Sequence, residues 1–397
     1  MNWWICSMHV AHNIEGLYVH VPFCDGKCHY CAFYSVSYSR DLGEAWLAAV
    51  EKELAQALDR YGALPLTSIF MGGGTPTVLP CDQLERLLII VKSSIKGSGL
   101  RVLEWTSEAN PGSLSIDKLT LMKAFGVNRI SLGVQAMEDQ VLRQLGRRHS
   151  VADIHAAVNA IKSSGITNWG LDLIACVPGV SEDAWRKTLD AALRLEPRHI
   201  SVYALTREEG TRLNSDYESG MVRLLDDDNQ LRMLEVAEST LGAAGFGRYE
   251  ISNYARSGFE CRHNVSCWRG GNYLGLGCAA SSRVGNQRWT NVADLNAYTA
   301  AVLSSDQASI RWRDTEALAP VTDAVERLVF GLRLAEGVDL EEILDVTGLT
   351  GSVQADAWRA TLARLARERL VENRAGRWTL TVGGQAMADH VAVELMP

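Results

Sequence analysis

Three cysteines, Cys24, Cys28 and Cys31, stand in the stretch His20-Val-Pro-Phe-Cys-Asp-Gly-Lys-Cys-His-Tyr-Cys31 with the spacing Cys-x3-Cys-x2-Cys. One short loop thus carries three thiols directly after an apolar, strand-like run over residues 17–23. Thiolates are the usual ligands of iron–sulfur clusters, and a four-iron cubane held entirely by protein takes four of them. Three leave one iron open, as a catalytic metal keeps a position free for its substrate. The same residues admit two other chemistries. A zinc ion could use them with His20 or His29 as fourth ligand, and a disulfide would leave one cysteine over.

A second cluster of chemistry-bearing residues is Gly72-Gly73-Gly74-Thr75-Pro76-Thr77. Glycines after a strand let the backbone approach a ligand closely. The Gly-Lys-Ser/Thr ending of a phosphate-binding P-loop is missing. Further on, Cys261-Arg-His-Asn-Val-Ser-Cys-Trp268 opens a stretch rich in Gly, Asn and aromatics that runs to Cys278 and beyond.

These residues need a scaffold, and the hydrophobic pattern supplies one. Strand-like runs at 17–23, 68–71, 102–107, 129–134, 168–175 and 199–205 alternate with amphipathic helical stretches at 42–60, 83–94, 116–125, 151–164 and 182–195. Strand–helix alternation implies a parallel sheet with right-handed crossovers. The cysteine loop and the glycine motif fall at C-terminal strand ends, where a barrel of this kind builds its site. The pattern predicts an α/β fold with six strands in sequence, and six units rather than eight resemble a partial (β/α)6 TIM-like barrel. Helical periods at 323–334, 340–345 and 355–368 and a hairpin over 370–381 predict a small C-terminal winged-helix-like α+β domain. The expected divisions are an N-terminal extension (1–16), the barrel (17–256), a segment of distinct composition (257–302), a linker (303–320) and the C-terminal domain (321–397).

The chain has 397 residues, 47% apolar, with a formal net charge of −8. That charge argues against a nucleic-acid partner, whose phosphates call for a basic face. No run approaches the roughly 18 apolar residues of a membrane span. The first residues lack Lys or Arg before their apolar stretch, against a secretory signal. Nine scattered cysteines fit a reducing compartment, so a cytoplasmic protein is expected.

The three-cysteine loop resembles the signature of the radical S-adenosylmethionine (SAM) superfamily. In that family the open iron takes the amino and carboxylate groups of SAM, and one electron cleaves its sulfonium to a 5′-deoxyadenosyl radical. Closer still is a resemblance to the family of oxygen-independent coproporphyrinogen III oxidases and related haem chaperones, the HemN/HemW family. It is carried by Tyr18-Val-His-Val-Pro-Phe-Cys24, the glycine motif, Glu108-Ala-Asn-Pro111, Ser131-Leu-Gly-Val-Gln135, Leu145-Gly-Arg147, Leu171-Asp-Leu-Ile174 and Ile200-Ser-Val-Tyr203. The resemblance implies a [4Fe–4S] cluster on Cys24, Cys28 and Cys31. It also implies SAM contacts from Tyr18, Tyr30, Gly73, Gly74, Thr75, Glu108, Gln135, Arg147 and Asp172. Gly73, Gly74 and Thr75 would face the methionine part, and Glu108 and Asp172 the ribose hydroxyls.

Two departures separate the branches of that family. The oxidases carry a fourth cysteine two residues after the third, where this chain has Phe33, and a longer N-terminal region. Both features resemble the haem-chaperone branch. The block Arg262–Trp268 resembles that branch's His-Asn-x-x-Tyr-Trp element, with Cys267 in place of tyrosine, and makes His263 the first candidate for a haem ligand. Trp268 is the candidate ring for the porphyrin face. A rival set, Cys261, His263, Cys267 and Cys278, could hold a second metal; packing is the expected role of Cys261 and Cys278. The implied cofactors are the cluster, SAM and haem. The implied partners are haem, a haem-accepting protein and an electron donor, with peripheral membrane contact allowed, no nucleic acid, and the oligomeric state left open. Whether the scaffold acts as an enzyme stays open too. The alternatives are oxidative decarboxylation of coproporphyrinogen and a radical SAM methyltransfer.

Overall fold

A computed structural model describes residues 13–95, 102–304 and 312–397. The expected N-terminal extension up to residue 12, and residues 305–311 of the expected linker, lie outside the described residues. Six strands form the heart of the molecule: β1 (Gly16–Val21), β2 (Ser68–Gly73), β3 (Glu104–Ala109), β4 (Arg129–Gln135), β5 (Asn168–Ala175) and β6 (His199–Ala204). They pair in parallel and in sequence order. The helices that carry the chain back are α1 (Arg40–Tyr61), α2 (Cys81–Ser93), α3 (Ile116–Phe125), α4 (Val151–Ser164), α5 (Glu182–Arg194) and α6 (Asp227–Ala243). Side-chain oxygens of Ser39, Ser115, Ser150, Ser181 and Asp226 cap the N-termini of α1, α3, α4, α5 and α6, taking up amides that a helix leaves unpaired.

Because successive strand side chains point to opposite faces, each strand has two jobs. Leu17, Val19, Val21, Ile69, Met71, Ile130, Leu132, Leu171, Leu173, Ile200 and Val202 are buried in the core shared with the helices. The alternate positions, Tyr18, His20, Phe70, Glu108, Arg129, Ser131, Asp172, His199 and Ser201, face one another across the interior. Hydrogen bonds between Tyr18 and His20, and from Ser131 and Ser201 to Asp172, tie parts of this polar lumen together.

The sheet runs further than six strands. β7 (Gly247–Glu250), β8 (Asn253–Ala255), β9 (Tyr273–Leu276), β10 (Ser281–Val284), β11 (Gln287–Asn291) and β12 (Trp312–Ala317) complete twelve in the order β12-β11-β10-β9-β1-β2-β3-β4-β5-β6-β8-β7. β9 is a seventh parallel strand, lying against β1. The segment expected at 257–302 therefore extends the barrel sheet, and the expected linker region contains β12, paired with β11. A separate core of Ala324, Leu328, Leu344, Trp358, Leu362, Leu365 and Leu395 lies within the C-terminal part. Its helices Pro320–Gly331, Leu340–Val346, Val353–Arg367 and Ala388–Leu395 accompany a three-stranded sheet built on the hairpin Val371–Arg374 and Arg377–Leu380. No helix among the described residues is long and apolar enough to cross a membrane.

Candidate functional site

The C-terminal ends of β1 to β5 meet the cysteine loop. Cys24 closes a short parallel pairing of Phe23–Cys24 with Val36–Ser37, and the Cys31 amide donates to the Cys28 carbonyl at 3.3 Å. All three cysteines are half-buried and free. Burial pushes the thiols of Cys24 and Cys31 above their ordinary range. A metal draws the proton from such a thiol on binding.

The glycine motif lies directly under this loop. Gly74 and Thr75 donate their amides to the carbonyls of Val21 and Phe23, at 2.9 and 2.7 Å, and the Thr75 hydroxyl sits 3.8 Å from the Cys24 sulfur. The Gly73 amide donates to the Glu108 carboxylate at 3.1 Å. With φ at +89°, Gly73 occupies the left-handed region, and a Cβ there would stand 2.2 Å from the His20 ring and 2.7 Å from the Tyr18 hydroxyl. Glycine is required on both counts.

The segment Leu145-Gly-Arg-Arg148 closes the loop from the other side. Leu145 accepts the His29 amide at 3.1 Å, and Gly146, at φ +76°, lies so near the His29 ring that a Cβ would come within 2.6 Å. Arg147 donates to the Cys28 sulfur at 3.4 Å and to the Gly133 carbonyl at 2.8 Å, and it bonds the Tyr30 hydroxyl. Its Nε is buried without a partner. Arg148 pairs with Asp25 at 3.1 Å.

Deeper in the mouth, Asp172 accepts from the hydroxyls of Ser201 and Ser131 at 2.7 and 3.2 Å. Burial raises its carboxyl against the pull of Ser201. Burial, then the neighbouring Asp172, pushes Glu108 up to about 8. Two carboxyls enclosed together cannot both ionise easily. Gln135 ends β4 with φ at +70°, a rare conformation for a residue with a side chain, where the β4–β5 register also shifts. Tyr18 turns into the lumen, its hydroxyl 3.0 Å from His20 Nδ1, whereas Tyr30 packs beside Leu145, Ile174 and Leu213.

The structure thus gathers Tyr18, Tyr30, Gly73, Gly74, Thr75, Glu108, Gln135, Arg147 and Asp172 at one end with the three cysteines. His20 and His29 have both ring nitrogens engaged: His20 with Tyr18 and the Tyr34 carbonyl, His29 with the Gln144 carbonyl and Arg212. Among the described residues no three His, Cys, Asp or Glu side chains converge on a single metal ion. The engaged rings of His20 and His29 leave neither as a ready fourth ligand for zinc at the loop. Cys261 bonds Glu104 and, like Cys278, is fully buried.

His263 lies elsewhere. Helix α7 (Arg262–Trp268) sits under the N-terminal ends of the strands, with the amides of Arg262 and His263 capped by the Glu104 carboxylate at 3.2 and 3.3 Å. The His263 ring faces Ser68 Oγ at 3.2 Å through Nδ1 and stacks on Phe70, with Tyr18 and Tyr273 around it. Burial, then the charge of Arg129, lowers its imidazole to about 4. Trp268 is not a free ring: Phe330 packs on it edge-on and Arg333 lies 4.5 Å from its ring centre, both from the C-terminal part. Sequence reasoning passed over Ser131, His149 and Ser201 as site residues, although Ser131 and Ser201 lie inside the stretches that carry the resemblance and His149 follows Arg147 by two residues.

Comparison with known proteins adds the family. The radical SAM superfamily model matches residues 18–192, and the HemN C-terminal domain model matches residues 318–386. The heme chaperone HemW of Bacillus subtilis (strain 168) is 32% identical over 383 residues, covering 95% of this chain and 98% of that protein. The chain belongs to the HemW family. A second HemW, from Mycobacterium tuberculosis (strain ATCC 25618 / H37Rv), is 34% identical over 388 residues, 96% of this chain and 94% of its own length. The solved structure of Escherichia coli coproporphyrinogen III oxidase (HemN), a radical SAM enzyme, superposes with a TM-score of 0.81 over 98% of this chain and 91% of that one. At 22% identity, that likeness establishes the fold that this HemW-family chain shares with it.

Proposed function

We propose that this chain binds one [4Fe–4S] cluster through Cys24, Cys28 and Cys31, binds SAM beside it, and holds haem for delivery to a recipient protein. The observation that carries the proposal is that a loop bearing three free thiols, a turn of carbonyl acceptors and two enclosed carboxyls meet at one barrel mouth. The donor set fits. The position of a fourth cysteine is Phe33, 68% exposed. The amides of Gly73, Gly74 and Thr75 are all engaged within the protein, so what their turn can offer a ligand is carbonyl oxygen, the right sign for an ammonium group. Glu108 and Asp172 are acceptors suited to ribose hydroxyls. Arg147 has an unpartnered Nε and stands against Cys28, suited to a carboxylate next to a thiolate-held cluster. When bound, the cluster supplies one electron to the SAM sulfonium.

The protein's part is positioning. Thr75 and Arg147 steady the sulfurs of Cys24 and Cys28, and Tyr30 steadies Arg147. His20 locks Tyr18 against the glycine turn. His263 has Nδ1 committed to Ser68, which leaves Nε2 as the nitrogen for haem iron. Its ring packs among Phe70, Tyr18 and Tyr273. A cytoplasmic setting, with an electron donor and a haem-accepting protein as partners, accords with eight described cysteines that are all free.

Haem titration of the anaerobically reconstituted protein tests the reading. His263→Ala should lower haem affinity or shift the Soret band and leave the iron content and SAM binding unchanged. Conversion of coproporphyrinogen to protoporphyrinogen with no haem uptake would refute the chaperone reading in favour of the oxidase.

A further inference from the structure

Gln135 holds a conformation that its own side chain disfavours. Its φ is +70°, and the Ala136 amide donates back to the Val134 carbonyl at 2.9 Å, closing a γ-turn around it. Such strain persists only where the surroundings over-determine it. The surroundings here are two residues that flank Arg148. Arg147 donates to the Gly133 carbonyl at 2.8 Å, Arg148 turns outward to Asp25, and His149 Nε2 meets the Val134 carbonyl at 3.2 Å. Val134 therefore accepts two donors at once, one from the turn itself and one from His149.

His149 is built as a fixed donor. It is 6% exposed, and burial, then the charge of Arg147, lowers its imidazole to about 4. It is neutral at pH 7, and the nitrogen that faces a carbonyl must carry the proton. The other nitrogen, Nδ1, is buried without a partner. The next residue, Ser150, opens α4 with a reciprocal capping box to Asp153, which anchors the backbone from which His149 reaches.

We infer that His149 is a positioning residue for SAM, holding the γ-turn that aims Gln135 into the mouth. This rests on the SAM site proposed above, at whose mouth Gln135 stands. A side chain without the donor should let the turn relax toward ordinary β geometry, which swings Gln135 away. His149→Phe keeps the ring volume and removes the bond.

The experiment measures SAM affinity by equilibrium dialysis on the reconstituted protein, with iron content and thermal midpoint alongside. His149→Phe should bind SAM about tenfold more weakly, the loss of one well-placed contact, at full iron content. His149→Gln, which restores an amide donor, should recover most of that loss. In a Gln135→Ala background, His149→Phe should add nothing, because the two act through one contact. Parent-like affinity in His149→Phe alongside weakened Gln135→Ala overturns the positioning role, as does a full additional loss in the double variant. Parent-like affinity in Gln135→Ala overturns the SAM assignment itself. Should His149→Phe fail to fold, His149→Asn, whose amide is too short to reach Val134, takes its place under the same criteria.

Discussion

Replacing Glu108 by Gln should make the protein more stable at alkaline pH while weakening SAM binding. The Glu108 carboxyl is enclosed at the barrel mouth, bonded to the Gly73 amide, and raised from 4.5 to about 8 by burial and by Asp172. The unfolded chain loses this proton near pH 4.5, whereas the folded one keeps it until about pH 8. Between those values the folded state binds more protons, so Glu108 contributes stability that is complete below pH 4.5 and lost as pH rises through 8. The whole shift corresponds to about 5 kcal/mol at most, and partial solvent access at the mouth brings the expected effect to about 2–5 kcal/mol. Glutamine can still accept from Gly73 and has no charge to bury, so it escapes this loss.

Urea unfolding of the iron-free parent and Glu108→Gln, run from pH 5 to about 9, reads the difference as a change in midpoint at constant slope. The two proteins should converge at the acid end and separate toward the alkaline end, with the variant the more stable. SAM affinity of the reconstituted variant, measured above about pH 8 where the parent Glu108 is ionised, should fall by about tenfold through the lost charge-assisted acceptor. Parallel stability curves over the whole range would refute the account of Glu108 as a carboxyl held protonated by its surroundings. A group kept against its own stability is the mark of a site shaped for a ligand.

Two further outcomes follow from the mouth. Cys28→Ala should abolish the four-iron centre in Mössbauer spectra, because the loop holds no spare thiol besides Cys24 and Cys31, whereas Cys81→Ala, on the exposed start of α2, should retain it. Arg147→Ala removes the donor to Cys28 and to Gly133 together. It should weaken SAM binding by about tenfold or more and leave iron bound in the anaerobic protein, as iron assay and dialysis will read.

Much of this molecule is legible in the sequence, for reasons of period and spacing. The six parallel strands appear in the sequence as short apolar or β-branched runs, and the helices between them as amphipathic stretches. The three-cysteine loop is a local signal, complete within eight residues, Cys24 to Cys31. Glu108, Gln135, Arg147 and Asp172 were reachable only through their register with a known family, since each alone is an ordinary polar residue at a strand end.

What the tertiary structure decided is where separate stretches meet. Residues 261–289 lack a strong strand period, so their membership of the barrel sheet depended on β9 finding the open edge of β1. His263 looked like a residue awaiting a ligand. Its actual place, beneath the strands with Ser68 on one nitrogen and Glu104 capping its helix, depends on residues about 160 and 195 positions away. Trp268 is covered by Phe330 and Arg333, from the end of the helix Pro320–Gly331 and just beyond it. His149 is silent in the sequence because its partner is a backbone carbonyl, and a backbone carbonyl leaves no trace in residue identity. Sequence patterns record which side chains prefer burial or a given backbone shape; which groups then share a hydrogen bond across the barrel is settled only when the strands close around them.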